Sequence, residues 1–378
     1  MNIMEEIFSL IHNEIDKTPL PNNIEYDIKR IFIISKRHDI AHLTGDALLR
    51  NNLLTESKVA NAFRQQIIMA VYRYEQQNDV FIKICKIFTD AEIKFVPLKG
   101  SVIKKLYPNP YMRTSCDIDI LVKKEDISKA TSELLKNGFE TDGKRNYHDV
   151  HFYYGNIHLE LHFNICENIK QLDGLLSQVW GYVEPVSGYE YREIAEYYVY
   201  HHIAHMAYHF LGGGCGIRPF IDLWILKEKA FYDEEKLLPL LENSNLVKFY
   251  RAVSKLIDVW FKGDKHDDTT LRMEKYVLIG GVYGTASNSY SVGAATSKGK
   301  KKYLLKLAFP RYEIMCIIYP SLKKRKILLP FYYIHRVFIK VFGKDRKRVK
   351  EQISGTMSQS KEMIAEINSL LNELELKK

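Results

Sequence analysis

The chain has 378 residues, enough for roughly two or three domains with a large buried core. It is 46% hydrophobic and 27% charged, and its 55 basic against 46 acidic residues give a net charge of +9. That balance favours an anionic partner: a nucleotide, a nucleic acid, an acidic polymer or a membrane surface. The cysteines (Cys85, Cys116, Cys166, Cys215 and Cys316) are widely spaced and odd in number, with no Cys-x-x-Cys. This argues against a disulfide framework or zinc ribbon and fits a reducing compartment.

The opening MNIMEEIFSLIHNEID has early acids and no apolar signal core, so a cytoplasmic location is expected. Residues 1–85 read as a helical cap. Ile3, Ile7, Leu10 and Ile11 recur at helical spacing, as do Ala62, Ile67, Ala70, Val71 and Tyr74. A helix over about 78–90 leads into a strand over 93–98.

The stretch from Leu98 to Val122, LKGSVIKKLYPNPYMRTSCDIDILV, organises the rest. Asp117 and Asp119 sit two apart in an apolar run, so an extended backbone puts both carboxylates on one face and Ile118 and Ile120 on the other. Such oxygen-rich pairs suit Mg²⁺, which is held by one or two carboxylates plus substrate phosphates. Upstream, Gly100 lets the backbone approach a phosphate and Ser101 opens a short helix whose N-terminus attracts anions. The same two residues also fit an ordinary strand-to-helix turn with a serine cap. Lys99 and Arg113 flank the carboxylates as phosphate clamps or as solvated charges.

A helix is predicted over 125–137, ending at Gly138. Two strands follow, 148–154 and 157–163, joined by the turn dipeptide Gly155-Asn156. In the second, Ile157, Leu159, Leu161 and Phe163 share one face while His158, Glu160 and His162 share the other.

The order Gly-Ser, then Arg-x-Ser-x-Asp-x-Asp, resembles the polymerase-β-like nucleotidyltransferase superfamily. Within it, the wording of residues 98–122 is similar to the bacterial "uncharacterised nucleotidyltransferase" family of NTP transferases. The resemblance implies an α+β core over 86–165, with a small mixed sheet set between helical regions. It also implies a third carboxylate from a neighbouring strand, for which Glu160 in His-Leu-Glu-Leu-His-Phe is the natural choice and Asp149 the alternative. On this reading Asp117, Asp119 and Glu160 are the catalytic and metal-binding residues for two Mg²⁺ (or Mn²⁺) ions. Lys99, Gly100, Ser101 and Arg113 bind the nucleotide, an NTP with ATP favoured. The reaction is transfer of a nucleoside monophosphate to an acceptor hydroxyl with release of pyrophosphate. The acceptor itself has no signature. Two other readings stay open: a toxin-like enzyme of the same fold acting on tRNA or protein, and a non-catalytic nucleotide-sensing or scaffold module.

From about residue 166 the chain reads as helical, with a helical domain over 166–297. His201, His205 and His209 recur at i, i+4. That is a hydrogen-bonded helix face or, less simply, a metal set. Arg218 and Asp222 read as a structural ion pair or as part of the nucleotide pocket. Both features resemble the same family. The uncharged run over 276–296 is rich in Gly, Ser and Ala, a poor membrane span and a good loop. The last section, 298–378, is a basic helical region. Over 298–350 many lysines and arginines face only Glu313 and Asp345, around the apolar stretch 327–342. Three roles fit it: covering the core with long basic stems, binding RNA, or resting on an anionic surface. An amphipathic helix over 358–376 is expected to pack on the body.

Overall fold

The computed structural model describes residues 3–21, 25–54, 57–143, 148–282, 284–343 and 346–377. Asp345, one of the two acids in the basic segment, lies outside them. Four helices open the chain: α1 (Ile3–Asp16), α2 (Ile28–Arg37), α3 (Ala41–Arg50) and α4 (Lys58–Asp90). The Asp27 carboxylate caps α2 by accepting from the Arg30 amide, and the Ser57 hydroxyl caps α4 by accepting from the Ala60 amide. With no Gly or Pro between Lys58 and Asp90 to stop it, α4 runs for 33 residues, which is about 50 Å. The helix expected over 78–90 is its C-terminal part.

The sheet elements come next. They are β1 (Phe95–Pro97), the single-turn α5 (Gly100–Ile103), β2 (Asp117–Val122), α6 (Ile127–Lys136), β3 (Asp149–Tyr154) and β4 (Ile157–His162). Gly155, at φ +57°, makes the tight β3–β4 turn that a side chain would strain. After α7 (Lys170–Leu176), strands β5 (Val183–Ser187) and β6 (Glu190–Glu193) complete one six-stranded sheet in the order β3-β4-β2-β1-β6-β5. The fold is therefore α+β with a mixed sheet: β2 lies parallel to β4 and antiparallel to β1, and β6 is parallel to β1. The β5–β6 hairpin corrects the expectation of unbroken helix from residue 166. Its strands are short and mostly solvent-facing, so they lack an apolar alternation to announce them.

Helices then dominate: α8 (Ala195–Gly212), α9 (Arg218–Glu228), α10 (Glu234–Asn243), α11 (Val247–Lys262), α12 (Asp268–Gly280) and α13 (Ala286–Thr296). The run over 276–296 is thus the end of α12, a short connection over 281–285 of which residue 283 lies outside the described residues, and all of α13, rather than one long loop. Small residues there serve close packing: a Cβ on Gly293 would run into the Tyr303 ring, and Val292, Ala294 and Ala295 are buried. The C-terminal region comprises α14 (Lys300–Ala308), α15 (Tyr312–Ile318), α16 (Leu329–Phe342), α17 (Arg346–Ser358) and α18 (Lys361–Glu373). As expected, α18 packs on the body, burying Ile367, Leu370 and Leu371 against the main core.

Alternation along the strands divides the interior in two. Ile118, Ile120, Leu159 and Leu161 meet Val80, Ile84 and Phe88 of α4 and Ala130 and Leu134 of α6. On the opposite face, Val96, Leu98 and Leu121 join a larger cluster that draws on α1, α3, α8–α12 and α18. Asp117, Asp119 and Glu160 belong to that second face, between the sheet and the helical body.

Candidate active site

The parallel register of β2 and β4 sets Asp119 opposite Glu160 and Asp117 opposite His158. Side chains opposite one another on adjacent strands point to the same side. Three carboxylates from two strands thus converge on one wall. Asp119 is buried and accepts two hydrogen bonds, both at Oδ1: one from Lys99 Nζ at 3.2 Å and one from His162 Nε2 at 2.9 Å. Lys99 follows β1 with a positive φ of 44°, a conformation L side chains avoid, and the Tyr198 hydroxyl fixes it by donating to the Lys99 carbonyl at 3.0 Å.

The electrostatics are uneven. Burial alone would raise the Asp119 carboxyl, but the Lys99 ammonium and the His162 hydrogen bond outweigh it and hold Asp119 well below the usual carboxylate range. Its neighbours go the other way. Burial, then the charge of Asp119, raises Asp117. Burial, then Asp119 and Asp117, pushes Glu160 up to about 7. Burial opposes the charge on Lys99, yet Asp119, Glu167, Asp117 and Glu160 together raise it. The wall therefore carries more negative charge than its one ammonium offsets.

The loop entering β2 is clamped from three directions. Arg113 donates from Nε to both carboxylate oxygens of Asp222 (2.8 and 2.9 Å), and its Nη2 lies 2.8 Å from Oδ2. The Tyr107 hydroxyl donates to Asp222 Oδ1 at 2.7 Å. Thr114 and Arg218 both donate to Asp39 Oδ2, at 2.9 and 2.8 Å. Ser115 exchanges hydrogen bonds with the Gln77 amide of α4, and the His42 ring of α3 lies 2.8 Å from the Met112 carbonyl. The expected Arg218–Asp222 pair is thus replaced by Arg113–Asp222 and Arg218–Asp39. The buried Asp222 turns inward to a cation 109 residues away, while Arg218, at the start of α9, meets a carboxylate in the turn before α3.

Above the carboxylates lies a cavity of about 260 Å³. Lys99, Gly100, Arg113, Asp117, Asp119 and Glu160 form one side; His201, His202, His205 and His209 of α8 and Arg218 of α9 form the other. Ser101 is buried beside Gly100 and does not reach this lining. A cavity of about 140 Å³ adjoins it, sharing Lys99, Glu160, His201 and His205 and reaching Glu167.

A family model described as uncharacterised nucleotidyltransferase matches residues 25–262. The chain belongs to the uncharacterised nucleotidyltransferase family. No curated protein and no solved structure matches it. Membership supports nucleotidyl transfer as the general chemistry and a nucleotide as substrate. The matched span takes in every element of the site and stops before the basic C-terminal region.

The nucleotidyltransferase wall has donors suited to a metal ion. Ligand atoms of Asp119, Glu160 and His162 lie within 4.8 Å of one another, as do those of His151, His158 and Glu160, and of His148, Asp149 and His162. Asp149 is buried on the edge strand β3, with His148 Nε2 3.0 Å and His151 Nε2 3.4 Å away. The α8 histidines are hydrogen-bonded to separate partners: His201 to Glu193, His202 to the Pro219 carbonyl, and His205 to Glu167, with His209 3.0 Å from His205. They do not appear among the clustered ligand sets of the described residues. Sequence reasoning missed the supporting groups Asp39, Gln77, Glu167 and Tyr198. Each is an ordinary polar residue far along the chain from the motif, so only the fold brings it there.

Proposed function

We propose that this nucleotidyltransferase transfers a nucleoside monophosphate from an NTP, with ATP favoured, to an acceptor hydroxyl, with Mg²⁺ or Mn²⁺ as cofactor. The observation that carries the reading is the carboxylate wall itself: Asp117, Asp119 and Glu160 share one sheet face, open to the cavity, with the Lys99 ammonium bonded to Asp119. The donor set fits a divalent cation. Burial first, and then the charge of Asp119, holds Asp117 and Glu160 against ionisation, and a cation between them would offset both. Bound there, two ions would supply Lewis-acid stabilisation of the triphosphate and an acidified acceptor hydroxyl.

In this reading Asp117, Asp119 and Glu160 would hold the ions. His162 keeps the Asp119 carboxylate oriented through its Nε2–H, since an ionised carboxylate only accepts. The acceptor hydroxyl gives its proton up to solvent as its oxygen forms a bond to the α-phosphorus, the bond from the α-phosphorus to the bridging oxygen of the β-phosphate breaks, and pyrophosphate leaves. The Lys99 ammonium offsets charge on the phosphates, and Gly100 leaves its side of the cavity open to them. Arg113 has its guanidinium committed to Asp222, so it lends positive potential from within the wall rather than a free fork of donors.

The test is label transfer from α-radiolabelled NTPs with Mg²⁺ to protein, RNA and small-molecule fractions of a cell extract. The Asp117→Ala/Asp119→Ala protein is the control. Label in one fraction that falls by on the order of 10³-fold in the control supports the reading and names the acceptor class. NTP binding without label sensitive to those substitutions would replace it with a nucleotide-sensing role.

A further inference from the structure

We propose that the α14–α17 region is a docking surface for an anionic membrane, held in the plane of the headgroups by α16. Helix α16 buries no residue. Phe331, Ile334, Phe338 and Phe342 fall at i, i+3, i+7 and i+11, a single stripe along the helix. They are 69%, 70%, 62% and 70% exposed, and Ile327, just before the helix, is 83% exposed. Water-soluble proteins rarely leave so continuous a run of large apolar groups wet without a partner. Beside the stripe, a groove of about 620 Å³ between α14, α16 and α17 continues the apolar surface through Leu305, Val341 and Ile353.

Charge selects the partner. Lys323, Lys324, Arg325 and Lys326 stand exposed immediately ahead of α16, and Lys301 and Arg348 stand at the groove. Among the described residues of 298–350, Glu313 is the only acid. An apolar stripe beside a dense cationic cluster on a helix of 14 residues matches a helix lying in the interface, with basic side chains at the phosphates and phenylalanines among the acyl chains. No described helix is long and apolar enough to cross a membrane. RNA fits less well, because bases could stack on Phe331, Phe338 and Phe342 but would leave Ile327 and Ile334 in water, whereas an acyl layer takes all five. A second copy of the chain would bring two like-charged rims together.

The experiment is flotation of the full chain with vesicles of phosphatidylcholine alone, or of phosphatidylcholine with phosphatidylglycerol. The expected result is binding only to the vesicles containing phosphatidylglycerol, weakened by added salt. Phe331→Ser/Phe338→Ser should reduce that binding by about tenfold or more, and Lys323→Glu/Lys326→Glu should do the same without touching the stripe. Circular dichroism checks that both variants keep the fold. Equal binding to neutral vesicles, binding to neither, or unaltered binding by both variants would overturn the proposal. So would single-stranded RNA or self-association that depends on the same residues.

Discussion

The wall around Asp119 and the region around α16 depart from the simplest rule of protein interiors in opposite directions. Near the wall, ionisable groups are buried: Asp119, Asp222, Glu193 and His201 are all shielded from water. Around α16, large apolar side chains face it. Helix α8 sharpens the contrast, for it has a comparable apolar content and buries eleven residues, among them Tyr197, Tyr200 and Phe210. Composition therefore does not decide what is inside. Partners do: α8 lies between the sheet and helices α9–α11, whereas α16 meets α14, α17 and the small local cluster around Met315, Cys316 and Leu322, and joins neither of the two large cores. Buried charge is tolerated where each group has a counter-charge, and exposed apolar surface persists where a further partner is to cover it.

The sharpest way to break the first half of this contrast is to take one counter-charge away. Asp222 accepts from Arg113 and Tyr107 and is fully buried. Asp222→Ala leaves a largely buried guanidinium without its counter-charge and is expected to cost about 3–5 kcal/mol in urea unfolding. A loss under about 1 kcal/mol would mean that Arg113 finds water or another anion, and that the pair does not hold the loop before β2.

Glu160 gives the next largest effect, through pH. Its ordinary value is 4.5 and burial, with Asp119 and Asp117, raises it to about 7 in the folded chain. Between those values the folded state binds the proton that the unfolded state has released. Stability of the metal-free protein should therefore be highest below about 4.5 with respect to this group. It should fall as pH rises through the window, by at most about 3 kcal/mol. Glu160→Gln, or added Mg²⁺, should flatten that slope in thermal unfolding followed against pH. A slope unchanged by either would show that the carboxylates are not coupled through a shared cation site.

A smaller effect is expected from His162, which touches Asp119 rather than substrate. His162→Ala should weaken Mn²⁺ binding, measured by calorimetry or electron paramagnetic resonance, by about 10–100-fold. Unchanged affinity would reduce His162 to a packing residue.

How much of this was legible in the sequence follows from how local each feature is. Period-two alternation is enough to place Asp117 with Asp119, and Glu160 with His162, because a strand carries its facing within a few residues. The hairpin turn at Gly155 and the helical opening are legible for the same reason. The clamp is not: Asp39, His42 and Gln77 reach the loop at 112–115 across 38 to 75 residues, and nothing in their neighbourhoods marks them. Arg218 and Asp222 mislead because i, i+4 spacing is a real helical signal that two stronger tertiary partners override. The Gly- and Ser-rich stretch over 276–296 misleads too, since small residues that loosen an isolated chain also let helices approach closely. Strand β6 joins the sheet through one pair with β1, Phe95 with Glu190, a tertiary contact that no local pattern announces.

The least costly change should be the one that a hydropathy count would call severe. Phe331→Ser/Phe338→Ser removes two phenyl rings from an apolar helix. At a buried position such as Phe210, loss of one ring would cost about 3–5 kcal/mol through lost burial and the cavity left behind. At α16 the rings are already mostly in water, so there is little transfer energy to lose and no cavity to leave. The double variant should unfold in urea within about 0.5 kcal/mol of the parent, even while its binding to anionic vesicles falls. A destabilisation of 2 kcal/mol or more, on the scale of a core substitution, would mean that the stripe is packed within the chain in solution. The separation of the two readouts is the point: in a core, stability and surface properties change together, whereas on a docking face only the binding should move.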